Sequence, residues 1–524
     1  NPQMVYIEDG SVVISWEADR LVYCQKLDTT GVIHWDAEGV RVCLSDSAQR
    51  DYHMVTDGQD VWFVWQDERS DDGDIYVQKL DGSTGQRLWG EQGKVVCVKE
   101  GQQRRQRGTV LNNGSFIASW EDENVEPRNI AAQWFKTNGQ ILWEPNGIYI
   151  NKGTDRAYTP FVGPSGSSVV IVWRGANDGD TIGANFAQRV DSSSNFLWDT
   201  LGVLIEYSST PYGTSSDGRG GAVVLFGNPG YLAVQRIDST GQVVWDSGGV
   251  KITEFAQNNS QSIPFAEQVT KGLITDRAGG CFVWRALPVT GYSRAQHVDS
   301  NGNLTWGIDG ATYWQRQTEE APLTSTTLCL NGDNGIMVAF DNMGWNGMGE
   351  PYGVEFGVRV QRINPDGQVL FDTNGVIVRE WPNDFDSLSL SLLTATAVPG
   401  AVIAAWDDNR HQPYYSLYAQ IVDTTGKVGS GIEEESSPPI SSLNLEVSIT
   451  ISLESITLNY SLPVNETGTL KLFDAGGRLI KSLTLNKREG LITLNTQDFP
   501  SGVYYVQLST QTNKRTSRKV LVIH

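Results

Sequence analysis

One short stretch, Gln78 to Trp89 (QKLDGSTGQRLW), constrains the fold more than any other feature of the chain, because it recurs in copies beginning at Gln25, Gln133, Gln188, Gln235, Gln296, Gln361 and Gln420. Three residues after the Gln stands an Asp (Asp28, Asp81, Asp191, Asp238, Asp299, Asp423), with Lys136 and Asn364 in the other two copies. A Gly follows at 31, 85, 139, 241, 302, 367 and 426, replaced once by Ser194, and four residues on an aromatic closes the unit: Trp35, Trp89, Trp143, Trp198, Trp245, Trp306 or Phe371. The last copy lacks the aromatic. Alternating residues suit a strand, Asp bonds its own backbone in a turn, Gly tolerates positive φ, and the apolar residues beyond form the returning strand. The unit is a hairpin ending in Trp. An isolated hairpin is marginal in water, so copies about fifty to sixty residues apart must bury their faces against one another.

Upstream of each Gln lies a second apolar run ending in an aromatic: Trp16, Trp65, Trp120, Trp173, Phe226, Trp284, Phe340 and Trp406. A further short run precedes it, such as Tyr52-His53-Met54-Val55, so each repeat supplies four strands in a meander. No long segment has a 3.6-residue apolar period. The expected fold is all-β: an eight-bladed β-propeller, seven blades being the alternative, over residues 1–431. The interval from Gln to closing aromatic is nearly constant, whereas that from the preceding aromatic to Gln runs from nine residues to twenty-one. One face of the ring is therefore expected to carry variable loops and any ligand site. The longest of these, at 341–356, holds Trp345 and Tyr352, the residues expected to touch a ligand, since sugars stack on aromatic faces.

The pattern Asp-x-x-Gly-x-x-x-Trp, as DSTGQVVW at 238–245, resembles the tryptophan-docking motif of eight-bladed quinoprotein dehydrogenases and related outer-membrane assembly propellers. The resemblance covers the hairpins and implies that Trp35, Trp89, Trp143, Trp198, Trp245 and Trp306 wedge between adjacent blades. This chain has Gln where that family usually has Ala, and it lacks the adjacent cysteine pair of many quinone-binding members, so quinone chemistry is not carried over.

After residue 431 the repeat stops. Residues 432–443 include Glu433-Glu434-Glu435-Ser436-Ser437-Pro438-Pro439, an acidic Pro-containing linker. Residues 444–524 carry Tyr460-Ser461-Leu462-Pro463, Leu472-Phe473-Asp474-Ala475-Gly476-Gly477-Arg478-Leu479-Ile480, Pro500-Ser501-Gly502-Val503-Tyr504-Tyr505-Val506 and Lys519-Val520-Leu521-Val522-Ile523. This segment resembles the C-terminal sorting domain of proteins exported by the type IX secretion system. The resemblance implies a small immunoglobulin-like β-sandwich and an extracellular or cell-surface address, any leader having been removed.

A net charge of −21 argues against nucleic acid, which needs clustered Lys and Arg. No apolar run is long enough to span a membrane. The five cysteines, Cys24, Cys43, Cys97, Cys281 and Cys329, lack CxxC spacing and sit in strand-like runs, which reads as buried apolar packing, with one disulfide among the first three left open. His34, His53, His297, His411 and His524 show no ligand spacing and read as structural or exposed. No cofactor is expected. Asp71-Asp72-Gly73-Asp74 has the carboxylates calcium would take, although turn formation explains it more simply. No convergent polar constellation is visible. The expected function is accordingly a non-enzymatic structural or adhesion protein, self-assembling through its C-terminal domain or associating with other cell-surface components. A glycan-binding propeller is the alternative, and a secreted propeller hydrolase or lyase the second alternative.

Overall fold

The computed structural model describes the chain apart from residues 1, 37–38, 71–72, 124–127, 153–155, 177–182, 208, 229–230, 255–270, 288–291, 316–325, 343–356, 373, 381–389, 409–415, 430–443, 448–450, 453–454, 463–466, 475–477, 486–488, 496–499, 501, 511–514 and 523–524. The chain divides into two compact units, Asn1–Ile432 and Glu433–His524. Among the described residues both are all-β, with no helix long and apolar enough to cross a membrane.

In the first unit the described strands form seven four-stranded antiparallel meanders and one of three strands. The second sheet is representative: Gln49–Thr56, Val61–Asp67, Asp74–Leu80 and Lys94–Cys97, each pairing with the next. Its second strand shows no alternation because both faces are covered: Val61, Trp62, Phe63, Val64 and Trp65 are all fully buried. Apolar cores lie between successive sheets rather than at one centre. The series closes on itself, since Met4, Val12 and Ile14 of the first sheet pack with Val398, Ala401, Ile403 and Ala405 of the last. The leading strands, Gln3–Tyr6, Gln49–Thr56, Gln103–Val110, Arg156–Ser165 and so on to Leu390–Val398, are neighbours all the way round and line the middle of the ring.

The recurrent Gln has a physical cause. Gln78 is fully buried; its Nε2 donates to Gly90 O at 2.6 Å, while its Oε1 accepts the N–H groups of Lys79 (3.0 Å) and Trp89 (3.1 Å). Gln133, Gln188, Gln235, Gln296 and Gln361 repeat the clamp. The amide offers N–H donors and a two-lone-pair acceptor at neutral pH with no charge to bury, and an alanine here would leave buried backbone groups unpaired.

The closing tryptophans join one sheet to the next. Their indole N–H groups donate to carbonyls in the following hairpin turn: Trp35 to Ser83 (3.3 Å), Trp89 to Thr137 (3.3 Å), Trp143 to Ser192 (3.1 Å), Trp198 to Ser239 (3.2 Å), Trp245 to Ser300 (3.3 Å) and Trp306 to Pro365 (2.8 Å). Glycine in that turn gives the ring its seat. At Gly85, with φ +74°, a Cβ would come within 2.9 Å of the Trp35 ring.

All five cysteines are free and buried, so no disulfide joins the first three. Burial pushes the Cys97 thiol up to about 11 and that of Cys329 up to about 12. In the second unit, a three-stranded sheet (Asn444–Val447, Ser455–Ser461, Glu489–Asn495) and a five-stranded one (Ile451–Ser452, Arg515–Val522, Gly502–Thr510, Gly468–Asp474, Leu479–Leu485) share one core. Leu458, Tyr460 and Leu494 from the first sheet meet Leu470, Leu472, Tyr504 and Val506 from the second.

Candidate functional site

The leading strands are not regular. Gln49–Thr56, Gln103–Val110 and Arg156–Ser165 each carry a bulge, where the register shifts between Arg50 and His53, opposite Ser119 and Glu121, and between Tyr158 and Phe161. The residue at each bulge has a left-handed backbone without being glycine: Asp51 (φ 52°), Arg105 (φ 52°) and Thr159 (φ 55°). Such a conformation costs roughly 1–3 kcal/mol and persists only where the surroundings enforce it. Here the neighbouring sheet does so. Gln106 Nε2 donates to the carbonyls of Asp51 (2.5 Å) and Arg50 (3.2 Å), and Glu121 Oε1 accepts the Thr159 N–H at 2.5 Å. Bulges re-aim side chains, and these lie at the end of the ring from which the loops between second and third strands leave.

At this end Gln3, Glu17, Asp51, Tyr52, His53 and Arg107 line a polar cavity of about 230 Å³. They come from the first three sheets. Two belong to the framework. Gln3 bridges the first two leading strands, its Nε2 donating to Tyr52 O (2.7 Å) and its Oε1 accepting the Met54 N–H (2.8 Å), while Tyr52 Oη accepts from Ser15 Oγ at 3.2 Å. The His53 Nδ1 accepts the Gly108 N–H at 3.1 Å, so a neutral ring carries its proton on Nε2. Burial, reinforced by the Arg107 charge, pushes the imidazole pKa down to about 3, which keeps the ring neutral at physiological pH. Burial likewise holds the Arg107 guanidinium below the usual arginine value, with Asp51 opposing and Arg105 adding to the shift. Glu17 and Asp51 are exposed to the cavity's solvent. Two carboxylates, a neutral imidazole N–H and a guanidinium thus share one concave wall. That set can orient a polar substrate and move protons to and from it.

The sequence reads all five histidines as structural or exposed. For His34, hydrogen-bonded to Asp28 (3.0 Å), and His297, held by Asp276 (3.1 Å) and stacked on Phe282, the structure gives such surroundings. His53 lies in the cavity wall instead. The available signal was the run Gln103-Arg104-Arg105-Gln106-Arg107, three arginines within five residues of one leading strand. Trp345 and Tyr352 lie outside the described residues, as do Asp71 and Asp72 of the calcium reading. Among the described residues no group of three or more His, Cys, Asp or Glu side chains is placed to hold a metal ion.

An all-β ring of meanders with a polar cavity at one end places the chain among propeller-like proteins, and comparison adds the following. Residues 448–523 match the secretion system C-terminal sorting domain family. The protein is therefore one exported by type IX secretion, located outside the cell or on its surface. No curated protein matches the sequence. Among solved structures, the chain is similar to the prolyl oligopeptidase B of Galerina marginata (11% identity, TM-score 0.41, covering 79% of this chain and 56% of that one). It is similar also to the GH32 beta-fructofuranosidase of Bombyx mori (9% identity, TM-score 0.27, 80% and 86%) and the acylaminoacyl peptidase of Pyrococcus horikoshii (10% identity, TM-score 0.35, 79% and 58%). The chain spans little more than half the length of the first and third of these.

The expectation of a non-enzymatic structural or adhesion protein that self-assembles does not stand. The solved structures it resembles are peptidases and glycoside hydrolases. Its premise, that no polar groups converge, also fails, because residues 3, 17, 51–53 and 107 meet in one cavity.

Proposed function

We propose that the protein is a secreted hydrolase or lyase that acts on an extracellular polymer at the cavity formed by Glu17, Asp51, His53 and Arg107. The observation that carries this reading is the convergence of those four polar side chains on one wall of the ring, with strained Asp51 presented from a bulge. Glu17 and Asp51 serve as the acid and base, His53 Nε2–H as a fixed donor and Arg107 as an anchor. The scaffold is read as an eight-bladed propeller with tryptophan-docking hairpins of the quinoprotein type, and the second unit as an immunoglobulin-like sandwich. Support comes from the seven four-stranded sheets and one three-stranded sheet among the described residues, from the indole bonds to successive turns, and from two sheets around one core. The full chain should release reducing ends, unsaturated ends or peptides from some member of a polysaccharide and protein panel, and Glu17→Gln and Asp51→Asn should each lower that rate at least a hundredfold without shifting the melting temperature. Turnover unchanged in both variants, or none on any substrate, would refute the assignment.

A further inference from the structure

Arg107 lines the cavity with Glu17 and Asp51, and the Asp51 charge acts on it, yet among the described residues no carboxylate comes close enough to pair with its guanidinium. In its own run, Arg104 pairs with Glu121 and Glu123, and Arg105 with Glu121 at 2.9 Å. Nearby, Arg20 and Arg50 share Glu68. Arg107 makes no ion pair among the described residues; its Nη1 donates to Gln106 O at 2.8 Å, and its guanidinium carbon stands 6.0 Å from the Phe161 ring centre. A guanidinium has five donors in a planar fork that matches a carboxylate. His53 lines the same cavity, and Glu17 and Asp51 add acceptors to it. Donors for an anion and acceptors for hydroxyl groups therefore line one space. Its volume of about 230 Å³ is below the roughly 300–1,000 Å³ of drug-sized sites, which favours a small polar unit.

We propose that the cavity binds a carboxylate-bearing sugar, a uronate unit of an extracellular polysaccharide, with Arg107 gripping the carboxylate and Glu17 and Asp51 accepting from ring hydroxyls. An acidic peptide would offer backbone N–H groups in place of ring hydroxyls and is the competing anion in the test. The proposal names the substrate class of the enzymatic reading above, yet recognition can be measured apart from turnover.

The test is calorimetric titration of the full chain with oligomers of galacturonate, glucuronate and mannuronate, each against its methyl ester, and with poly-glutamate. At least one free acid should bind about tenfold or more tightly than its ester, the worth of one charge-assisted pair. Arg107→Met should abolish that preference while leaving the ester's affinity in place, Arg107→Lys should keep part of it, and both should melt with the parent. Equal binding of acid and ester throughout, a preference that survives Arg107→Met, or tighter binding of poly-glutamate than of any uronate would each overturn the proposal. Selective uronate binding with no turnover of that polymer or any other would remove the enzymatic reading and leave this one. Glu17-dependent cleavage of a neutral polymer with no acid preference would do the reverse.

Discussion

Replacing Gln235 by Leu removes a fully buried amide that closes its hairpin with four contacts. Its Nε2 donates to Asp246 O (3.0 Å) and more weakly to Trp245 O (3.4 Å); its Oε1 accepts from the N–H groups of Arg236 (2.9 Å) and Trp245 (3.1 Å). Leucine preserves the volume and leaves the backbone partners stranded. Counting the three short bonds at about 1 kcal/mol each, the low end for a buried group left unpaired, gives a loss of about 3 kcal/mol. Unfolding entropy of about 2.1 cal/mol/K per residue, taken over Asn1–Ile432, comes to about 0.9 kcal/mol/K, so the melting temperature should fall by about 3 °C if the ring unfolds as one body. Differential scanning calorimetry reads this directly. Gln235→Glu sharpens the test: at neutral pH its carboxylate faces two carbonyl oxygens, so it should melt at least as early as the Leu variant. The protonated acid can donate where Nε2 did, so that deficit should shrink as pH falls toward 4. A Gln235→Leu protein melting at or above the parent would show that the clamp is not what selects Gln in the repeat.

Trp89→Ala removes a ring that is 3% exposed, stacks on Phe135 at 5.5 Å and anchors to Thr137 O; a loss of about 3–5 kcal/mol is expected, read as a lower melting temperature together with quenching changes in the remaining tryptophans. The depressed His53 pKa fixes a pH dependence. Between an unfolded value near 6.5 and the folded value of about 3 the unfolded chain binds the extra proton, so stability is fully present above pH 6.5 and declines as pH drops through that window. His53→Gln should flatten the curve of melting temperature against pH between 6.5 and 3, and an unchanged slope would refute the assignment. Thr159→Gly should raise stability by about 1 kcal/mol, against the usual penalty for introducing glycine, because a β-branched residue at φ 55° is strained; a loss on denaturant titration would refute the strain.

The hairpins were readable because every requirement for them is local. Gln, Asp, Gly and Trp lie within a dozen residues, and the bonds among them recur at intervals of one, ten or eleven. The identity of the Gln was visible, but the reason for it was not, since a string of letters does not say that one side chain serves three backbone groups. The cavity escaped for a different reason. Gly108 bonds His53 across 55 positions, Gln106 bonds Asp51 across 55, and Gln3 bonds Tyr52 across 49, each about one repeat. In a ring of meanders, residues at equivalent places in neighbouring copies stand side by side, so a site is built from a column of the stacked repeats and not from a motif along the chain. Reading the position just after each second-strand aromatic gives Glu17, Gln66, Glu121 and Arg174, and reading the strained bulge gives Asp51, Arg105 and Thr159. Where a column holds polar or charged residues inside an otherwise apolar framework, packing does not account for them, and the chemistry of the neighbouring columns says what kind of ligand would. Here Glu17 and Asp51 come from those two columns, and Arg107, two residues beyond the bulge of the next strand, joins their exposed carboxylates around one cavity.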